Sequence, residues 1–157
     1  MTDALAGIRV VEIASLGPGP FTAMMLADQG AEVTRIERPD VPPLFDPAHD
    51  MTLRGRARTL SLDLRQTDAM RRLDDMLQGS HALIEGFRPG VMERLGLGPE
   101  RVCADHPHLV YGRMTGWGQS GPLAPRAGHD INYIALSGAL FTYGESDGPP
   151  VPPVNAV

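Results

Sequence analysis

Residues 8–37 follow the order strand, turn, helix, strand, and this order limits the possible fold more than any other feature of the chain. Ile8–Ala14 and Ala31–Glu37 are short and rich in β-branched residues, which is typical of strands buried on both faces of a parallel sheet. Phe21–Gly30 between them predicts a helix that ends at a glycine. The pattern therefore predicts a βαβ unit, whose crossover is right-handed in nearly all proteins.

The remainder of the chain continues the alternation of strands and helices. The expected strands are Leu60–Leu64, Ala82–Glu85 and Leu109–Met114, and the expected helices are Thr67–Leu77, Val91–Gly96, Pro99–Asp105 and Ile131–Phe141. This alternation predicts an α/β fold with an open, mostly parallel, Rossmann-like sheet and flanking helices. We expect residues 1–145 to form this domain and residues 146–157 to be a proline-rich segment.

Composition and charge argue against several classes of function. The net charge of −5 offers no basic face to a nucleic acid, so we expect no nucleic-acid partner. The single cysteine, Cys103, cannot form an internal disulfide or a cysteine-based metal site, and we expect no bound metal. The sequence shows no secretory signal and no run that could span a bilayer, so we expect no membrane contact and a protein that is cytoplasmic or is delivered to an organelle by a signal not visible here.

The turn after the first strand invites comparison with a dinucleotide site. The glycines of Gly17-Pro-Gly-Pro20 open a helix after a strand, and Glu37 lies where an acidic residue would bind a ribose hydroxyl. Thr22, however, occupies the third glycine position, and the two prolines remove backbone N–H groups that would bind a pyrophosphate. The pattern supports the fold and disfavours a nicotinamide or flavin cofactor.

Three arginines alternate between the second and third predicted strands. Arg54, Arg56 and Arg58 would project to the same side of an extended segment and could bind an anion, or they could belong to a solvated loop. The sequence leaves these two alternatives open. His106 and His108 flank a proline with no third ligand nearby, so we expect a solvated connection there.

The glycine-rich stretch Arg113–Pro122, which continues to Ala127–Tyr133, follows the last predicted strand. It contains the single tryptophan of the chain and a His129-Asp130 pair. Loops that leave strand ends commonly carry the chemistry of α/β proteins. Composition alone is equally compatible with a glycine-rich connection and a solvated histidine.

The order of the residues, from Leu5 to Tyr133, resembles that of the α-methylacyl-CoA racemases, which are members of the family III CoA-transferases. The matching segments are Leu5–Glu12, Gly17–Pro20, Gly30–Val33, Arg38-Pro39, Ile84–Val91, Arg94–Gly98, Thr115–Gln119 and Gly128–Tyr133. The placement with racemases rests mainly on His129, because transferases of the family tend to carry another residue there.

The resemblance implies racemisation of a 2-methylacyl-CoA through an enolate, with His129 as one of two acid/base groups. The second group of the family is an aspartate that follows a Val-Pro-Pro-x-Asn segment. That segment is Val151–Asn155 here, so the aspartate would fall just beyond Val157. On this basis we expect the 157-residue chain alone to racemise little or nothing. Two alternatives stay open: a CoA-transferase and a non-catalytic CoA-binding domain.

The resemblance also implies an acyl-CoA substrate, with CoA as part of the substrate rather than a separate cofactor. It places the CoA contacts at Arg38, Leu62, Asp63, Leu64, Arg65, Gly86, Phe87, Arg88, Arg94, Gly128, Asp130, Ile131, Asn132 and Tyr133. The arginines among them are suited to the phosphates because a guanidinium can bind a phosphate through two hydrogen bonds. The resemblance is to a family whose members form interlocked homodimers, and the oligomeric state of this 157-residue chain stays open.

Overall fold

A computed structural model of the chain describes residues 3–42, 46 and 50–154. Within these residues the strands are β1 (Arg9–Ile13), β2 (Glu32–Glu37), β3 (Arg56–Ser61), β4 (Ala82–Glu85) and β5 (Val110–Arg113). The helices are α1 (Pro18–Asp28), α2 (Thr67–Gln78), α3 (Val91–Arg94), α4 (Pro99–Asp105) and α5 (Asp130–Ser137), and 3₁₀ turns span Met51–Leu53 and Ala139–Thr142. None of the helices in the described ranges is long and apolar enough to cross a bilayer.

The described strands form one sheet in the order β3-β2-β1-β4-β5, and every neighbouring pair is parallel. The order reverses direction between β1 and β4, which is the switch point at which open α/β sheets bind their ligands. The predicted α/β, Rossmann-like fold is therefore confirmed, and the sheet is wholly parallel rather than mostly parallel.

Helices cover both faces of the sheet. On one face Val10, Val33 and Ile84 pack in a core cluster with Ala23 of α1. On the other face Val11, Ile13, Ile36 and Leu83 share a larger cluster with helical residues, among them Leu73, Leu77, Met92 and Val102. Burial on both faces explains why the strands read as apolar runs rather than as an alternating pattern.

One predicted helix start is corrected. Helix α1 begins at Pro18, inside the segment expected to be a turn, because proline is tolerated in the first turn of a helix, where its missing N–H has no partner to lose. Helix α2 begins at Thr67, as predicted; Gln66 is its N-cap residue and makes no side-chain capping hydrogen bond.

The predicted third strand lies too far along the chain. Strand β3 is Arg56–Ser61, whereas the alternating leucines predicted Leu60–Leu64. Leu62 and Leu64 are buried, but they enter the core from the loop that follows the strand. Strand β3 is an edge strand with mostly exposed side chains, so an apolar pattern does not mark it.

The alternate arginines do not share one side of β3. Val33 pairs with Arg56 and the next residue, Thr34, pairs with Arg58, so the register shifts by one residue at this point. Because neighbouring residues of a strand face opposite sides, the two arginines lie on opposite faces of the sheet. Arg56 contacts buried Glu12 at 2.7 Å, and Arg58 contacts Glu32 at 2.9 Å. Both the common anion site and the solvated loop are therefore wrong for this pair.

The chain divides into two compact units, Met1–Met114 and Thr115–Val157. The sheet and helices α1–α4 belong to the first unit, and α5 belongs to the second. Helix α5 is shorter than predicted: it ends at Ser137, and Gly138 follows with φ of +83°, before the 3₁₀ turn. A positive φ suits a glycine and ends an α-helix, so the apolar run 131–141 is not one helix.

Candidate functional site

The predicted CoA-binding residues of the first unit follow directly after strand ends. Strands β2, β3 and β4 end at Glu37, Ser61 and Glu85, and the loops behind them contain Arg38, Leu62–Arg65 and Gly86–Arg88, respectively. Since parallel strands end at the same edge of a sheet, the fold brings these segments to one edge, where α/β sheets bind ligands.

Three arginines in or near these loops are available to bind an anion. Arg38, Arg88 and Arg94 are exposed, and none of them forms an ion pair with the part of the chain that the structure describes. Arg94 ends the short helix α3, and its Nη1 atom lies beside the backbone of Gly90. Unpaired guanidinium groups carry positive charge that a phosphate can neutralise.

Arg65 differs from these three because carboxylates already engage it. Its Nε and Nη2 atoms donate to the two carboxylate oxygens of Asp63, each at 2.8 Å, and Nη2 lies 3.6 Å from Asp40. The hydrogen bonds from Arg65 lower the pKa of Asp63 to about 2, and the same contact raises the pKa of Arg65. A phosphate at Arg65 would therefore compete with Asp63 and Asp40.

A groove of about 400 Å³ lies beside this pair. Its lining combines apolar and charged side chains: Leu64, Arg65, Thr67, Met70, Arg94 and Leu95. Leu62 and Leu64 are almost fully buried, so of the predicted segment Leu62–Arg65 it is Asp63 and Arg65 whose side chains are open to a ligand. The groove offers an apolar floor with two cations, an arrangement that suits a nucleotide.

Close contacts shape the backbone at the switch point between β1 and β4. A Cβ atom on Gly86 would lie 2.6 Å from Ser15 Oγ, and a Cβ atom on Gly19 would lie 2.5 Å from the same oxygen. Ser15 Oγ is buried and has no hydrogen-bond partner among the described residues. A side chain at Gly86 would also meet Ser15 Cβ at 2.8 Å and is therefore excluded unless Ser15 moves, whereas at Gly19 a rotation of the Ser15 hydroxyl would relieve the contact.

Sequence reasoning missed three charged residues, Glu85, Glu93 and Arg113, that lie around the loop after β4. Glu85 is fully buried; its Oε2 atom accepts a hydrogen bond from the Phe87 N–H at 2.7 Å, and its Oε1 atom accepts one from Arg113 Nε at 3.0 Å. Arg113 also contacts Glu93 of α3. No motif marks these residues, because the contacts of Arg113 with Glu85 and Glu93 join positions 20 or more residues apart.

The second unit contains the proposed base. His129 is exposed and directly precedes α5, and Asn132 Oδ1 accepts a hydrogen bond from the His129 N–H at 3.0 Å. Asp130 and Ile131 form the first turn of this helix, in which Ile131 is exposed. The hydrogen bond from His129 to Asn132 closes the first turn and fixes the backbone that carries the imidazole.

Tyr133 packs on its own unit and is only partly exposed. Its ring and the Trp117 ring lie within 2.8 Å of the position that a Cβ atom on Gly128 would take, and its hydroxyl lies against Gly116. Trp117 Nε1 donates to the carbonyl oxygen of Ala127 at 3.3 Å. These contacts hold the backbone on both sides of the stretch that leads into His129.

The histidines around Pro107 are not equally solvated. His106 is 5% exposed and meets the His108 ring edge-on, with ring centroids 6.2 Å apart, so the expected solvated connection is wrong for His106. Across the described ranges, no three histidine, cysteine, aspartate or glutamate side chains lie together as metal ligands would.

Comparison with known proteins links this arrangement to one family. A sequence profile described as CoA-transferase family III matches residues 5–157. The chain is 48% identical to α-methylacyl-CoA racemase of Mus musculus over 96% of its length, and 48% identical to that of Homo sapiens over 97%. It is 30% identical to succinyl-CoA:glutarate CoA-transferase of Mus musculus over 95% of its length. The chain spans 38% of the length of each racemase and 36% of this transferase.

Solved structures show the same fold. A CAIB/BAIF family protein from Brucella suis superposes with a TM-score of 0.85 at 28% sequence identity, over 98% of this chain and 44% of that protein. A protein from Mycobacterium tuberculosis superposes with a TM-score of 0.77 at 30% identity, over 95% of this chain and 43% of that protein.

Proposed function

The chain belongs to CoA-transferase family III, and on this premise we propose that the protein racemises 2-methylacyl-CoA thioesters. The observation that carries the proposal is the higher identity to the racemases than to the transferase, 48% against 30%, over nearly the same part of the chain. The presence of His129 at the start of α5 agrees with it, since racemisation needs an acid/base group that reaches the α-carbon of the substrate.

The CoA part of the substrate is bound by the first unit in this proposal. The phosphates contact Arg38, Arg88 and Arg94, whose guanidinium groups are exposed and unpaired within the described residues. The nucleotide lies in the groove against Met70 and Leu95. Arg65 joins the phosphate site when the ligand displaces Asp63 and Asp40.

The second unit supplies the chemistry. His129 Nε2 or Nδ1 removes the proton from the α-carbon of the thioester, the C–H electron pair moves to form an enolate, and the negative charge develops on the thioester oxygen. In this proposal the thioester oxygen lies at the N-terminal end of α5, where the helix dipole stabilises the negative charge. Reprotonation from the opposite face by a second group inverts the centre.

The proposal also defines what the 157-residue chain does by itself. The resemblance implies an aspartate as the second group, and in this proposal His129 serves one face of the enolate. The chain is then expected to exchange the α-proton with solvent and return it to the same face. A CoA-transferase would instead use an aspartate as the nucleophile and form a mixed anhydride with the acyl group.

The test is α-proton exchange in deuterated water. (2S)- and (2R)-2-methylbutanoyl-CoA are incubated with the chain, and NMR follows deuterium at the α-carbon while a chiral separation follows configuration. Exchange with retention for one enantiomer is expected, and His129→Ala should lower it by about 100-fold or more. His108→Ala is the matched control, because His108 is also an exposed histidine but lies outside the proposed site.

The outcomes separate the alternatives. CoA binding without exchange in either protein would contradict the catalytic role of His129 and leave a CoA-binding domain. Transfer of CoA to added succinate or glutarate, unaffected by His129→Ala, would support the transferase instead. Exchange that persists in His129→Ala would show that another group removes the proton.

A further inference from the structure

Arg113 occupies a junction between the two segments that carry Arg88 and Arg94. It is the last residue of β5, it pairs in register with Glu85 of β4, and its side chain is 16% exposed. Its Nε atom donates to Glu85 Oε1 at 3.0 Å. Its two terminal nitrogens contact the two carboxylate oxygens of Glu93, at 2.8 and 3.2 Å. One guanidinium therefore joins two carboxylates from different elements.

The Glu85 side of this junction fixes the loop after β4. The second oxygen of the Glu85 carboxylate accepts a hydrogen bond from the Phe87 N–H at 2.7 Å, one residue before Arg88. Glu85 is 0% exposed, so no water competes for these hydrogen bonds. The position of the Phe87 backbone thus depends on a carboxylate whose other oxygen Arg113 holds.

The Glu93 side fixes α3. Glu93 directly precedes Arg94, and the contact from both terminal nitrogens of Arg113 restrains the rotation of this short helix. Hydrogen bonds from the Glu93 N–H and then from Arg113 lower the pKa of Glu93, so the carboxylate is ionised. The hydrogen bonds to Glu93 and Glu85 outweigh the effect of burial and raise the pKa of Arg113.

We propose that Arg113 is a positioning residue for CoA, which sets Arg88 and Arg94 for the phosphates without touching the ligand itself. The proposal rests on the proposed function, because it assumes that these two arginines bind CoA. Arg113 also favours phosphate binding electrostatically, because its positive charge offsets part of the negative charge of Glu85 and Glu93, which would otherwise repel the phosphates more strongly.

The geometry requires arginine rather than any cation. The planar guanidinium directs Nε to one carboxylate and its terminal nitrogens to the other, which a lysine ammonium cannot do with comparable directionality. Arg113→Lys should keep the charge and lose the geometry, whereas Arg113→Gln loses both. The two variants therefore separate the electrostatic effect from the positioning effect.

The test is a double-mutant cycle read by calorimetric titration with CoA. We expect Arg113→Gln to raise the Kd for CoA by about tenfold or more, and Arg113→Lys to raise it by a smaller factor. In an Arg94→Ala background, Arg113→Gln should raise the Kd by a clearly smaller factor than in the unmodified chain, since one of the residues that it positions is gone. Arg58→Gln, which removes an exposed ion pair elsewhere on the sheet, is the matched control and should leave the Kd unchanged.

Urea unfolding of every variant identifies any general loss of structure. If Arg113→Gln does not fold, the double-mutant cycle with Arg94→Ala is measured with Arg113→Lys instead. If the unmodified chain does not bind CoA, both the proposed function and this inference are wrong. If the unmodified chain binds CoA, two results contradict the positioning role alone: an unchanged Kd in the Arg113 variants, or the same factor in the presence and absence of Arg94.

Discussion

The indole ring of Trp117 meets the phenol ring of Tyr133 edge-on, with ring centroids 4.8 Å apart and ring planes at 65°. Such edge-to-face pairs are favourable because the positive edge of one ring meets the negative face of the other. Both rings lie against Gly128, the residue before His129. The aromatic pair thus leaves room for a glycine only at the position that leads into the proposed base.

Gly128→Ala is predicted to destabilise the second unit. The new Cβ would lie 2.7 Å from the Tyr133 ring and 2.8 Å from the Trp117 ring, and neither ring can move without breaking the pair. We expect a loss of about 1–3 kcal/mol in the free energy of unfolding, as is typical of overpacking. Urea unfolding followed by circular dichroism measures the loss, and the fluorescence of the single tryptophan reports whether its surroundings change.

Gly148→Ala is the matched control for this substitution. Its Cβ would meet the nearest atom, of Glu145, at 3.9 Å, which is an ordinary contact distance. The control should change the free energy of unfolding by less than about 0.5 kcal/mol. Equal effects of the two substitutions would show that the aromatic pair does not confine Gly128.

The sequence predicted the parts of the fold that depend on local patterns. The βαβ unit of residues 8–37 and the helix that begins at Thr67 follow from local patterns of apolar residues, and both are confirmed. The predicted bounds of β3 were wrong because β3 is an edge strand, whose arginine, alanine and threonine side chains are largely exposed and give no apolar pattern. Its position depends instead on its pairing with β2.

The candidate site was predictable only where the resemblance names residues. Which of them share an edge follows from the topology, but which arginines are free depends on distant partners. Arg56 pairs with Glu12, which is 44 residues away in sequence, and Arg113 pairs with Glu85, which is 28 residues away. Neither partner can be read from spacing, since the sheet brings them together.

Glu12→Gln is predicted to be strongly destabilising. The Glu12 side chain is fully buried and contacts Arg35 at 2.5 Å and Arg56 at 2.7 Å, so the substitution leaves two poorly exposed cations with less compensating charge. The expected loss is about 3–5 kcal/mol of unfolding free energy. Glu32→Gln, which breaks the exposed pair with Arg58, should cost about 1 kcal/mol or less and is the control in the same urea titration. Similar losses for both would contradict the structural role of Glu12.

Asp63 is predicted to stay ionised to unusually low pH. The hydrogen bonds from Arg65 lower its pKa from 3.8 to about 2 in the folded chain. Because the pKa is lower in the folded chain, the ionised Asp63 stabilises the folded state above pH 3.8. This contribution to the free energy of unfolding is lost as the pH falls from 3.8 to about 2. A ¹³C NMR titration of the Asp63 carboxyl should give this low midpoint.

Two arginine variants test the cause of that midpoint. Arg65→Ala should move the midpoint of Asp63 upward toward 3.8, because it removes the largest cause of the shift. Arg71→Ala, which removes an exposed contact with Asp68, should leave the midpoint where it is. A midpoint near 3.8 in the unmodified chain would show that the contact between Asp63 and Arg65 does not persist in solution.

Tyr111 is predicted to resist ionisation in alkaline solution. Burial raises the pKa of its phenol above 10, the nearby Glu85 charge adds to the shift, and the hydroxyl donates to the Leu97 carbonyl oxygen at 2.7 Å. Because the pKa is higher in the folded chain than in the unfolded chain, the neutral phenol stabilises the folded state below about pH 10. This contribution to the free energy of unfolding is lost as the pH rises above that value. Tyr111→Phe should cost about 1 kcal/mol of unfolding free energy at pH 7, because it removes one hydrogen bond and leaves the Leu97 carbonyl without it.

The absorbance of the phenolate at 295 nm checks the alkaline prediction. As long as the chain remains folded, Tyr111→Phe and the unmodified chain should give the same absorbance up to about pH 11, because Tyr111 does not ionise there. After unfolding in urea, the variant should reach two thirds of the amplitude, since one of the three tyrosines is missing. A difference between the folded proteins near pH 10 would mean that Tyr111 ionises at its ordinary pKa. The hydrogen bond from its hydroxyl to the Leu97 carbonyl oxygen would then not persist in solution.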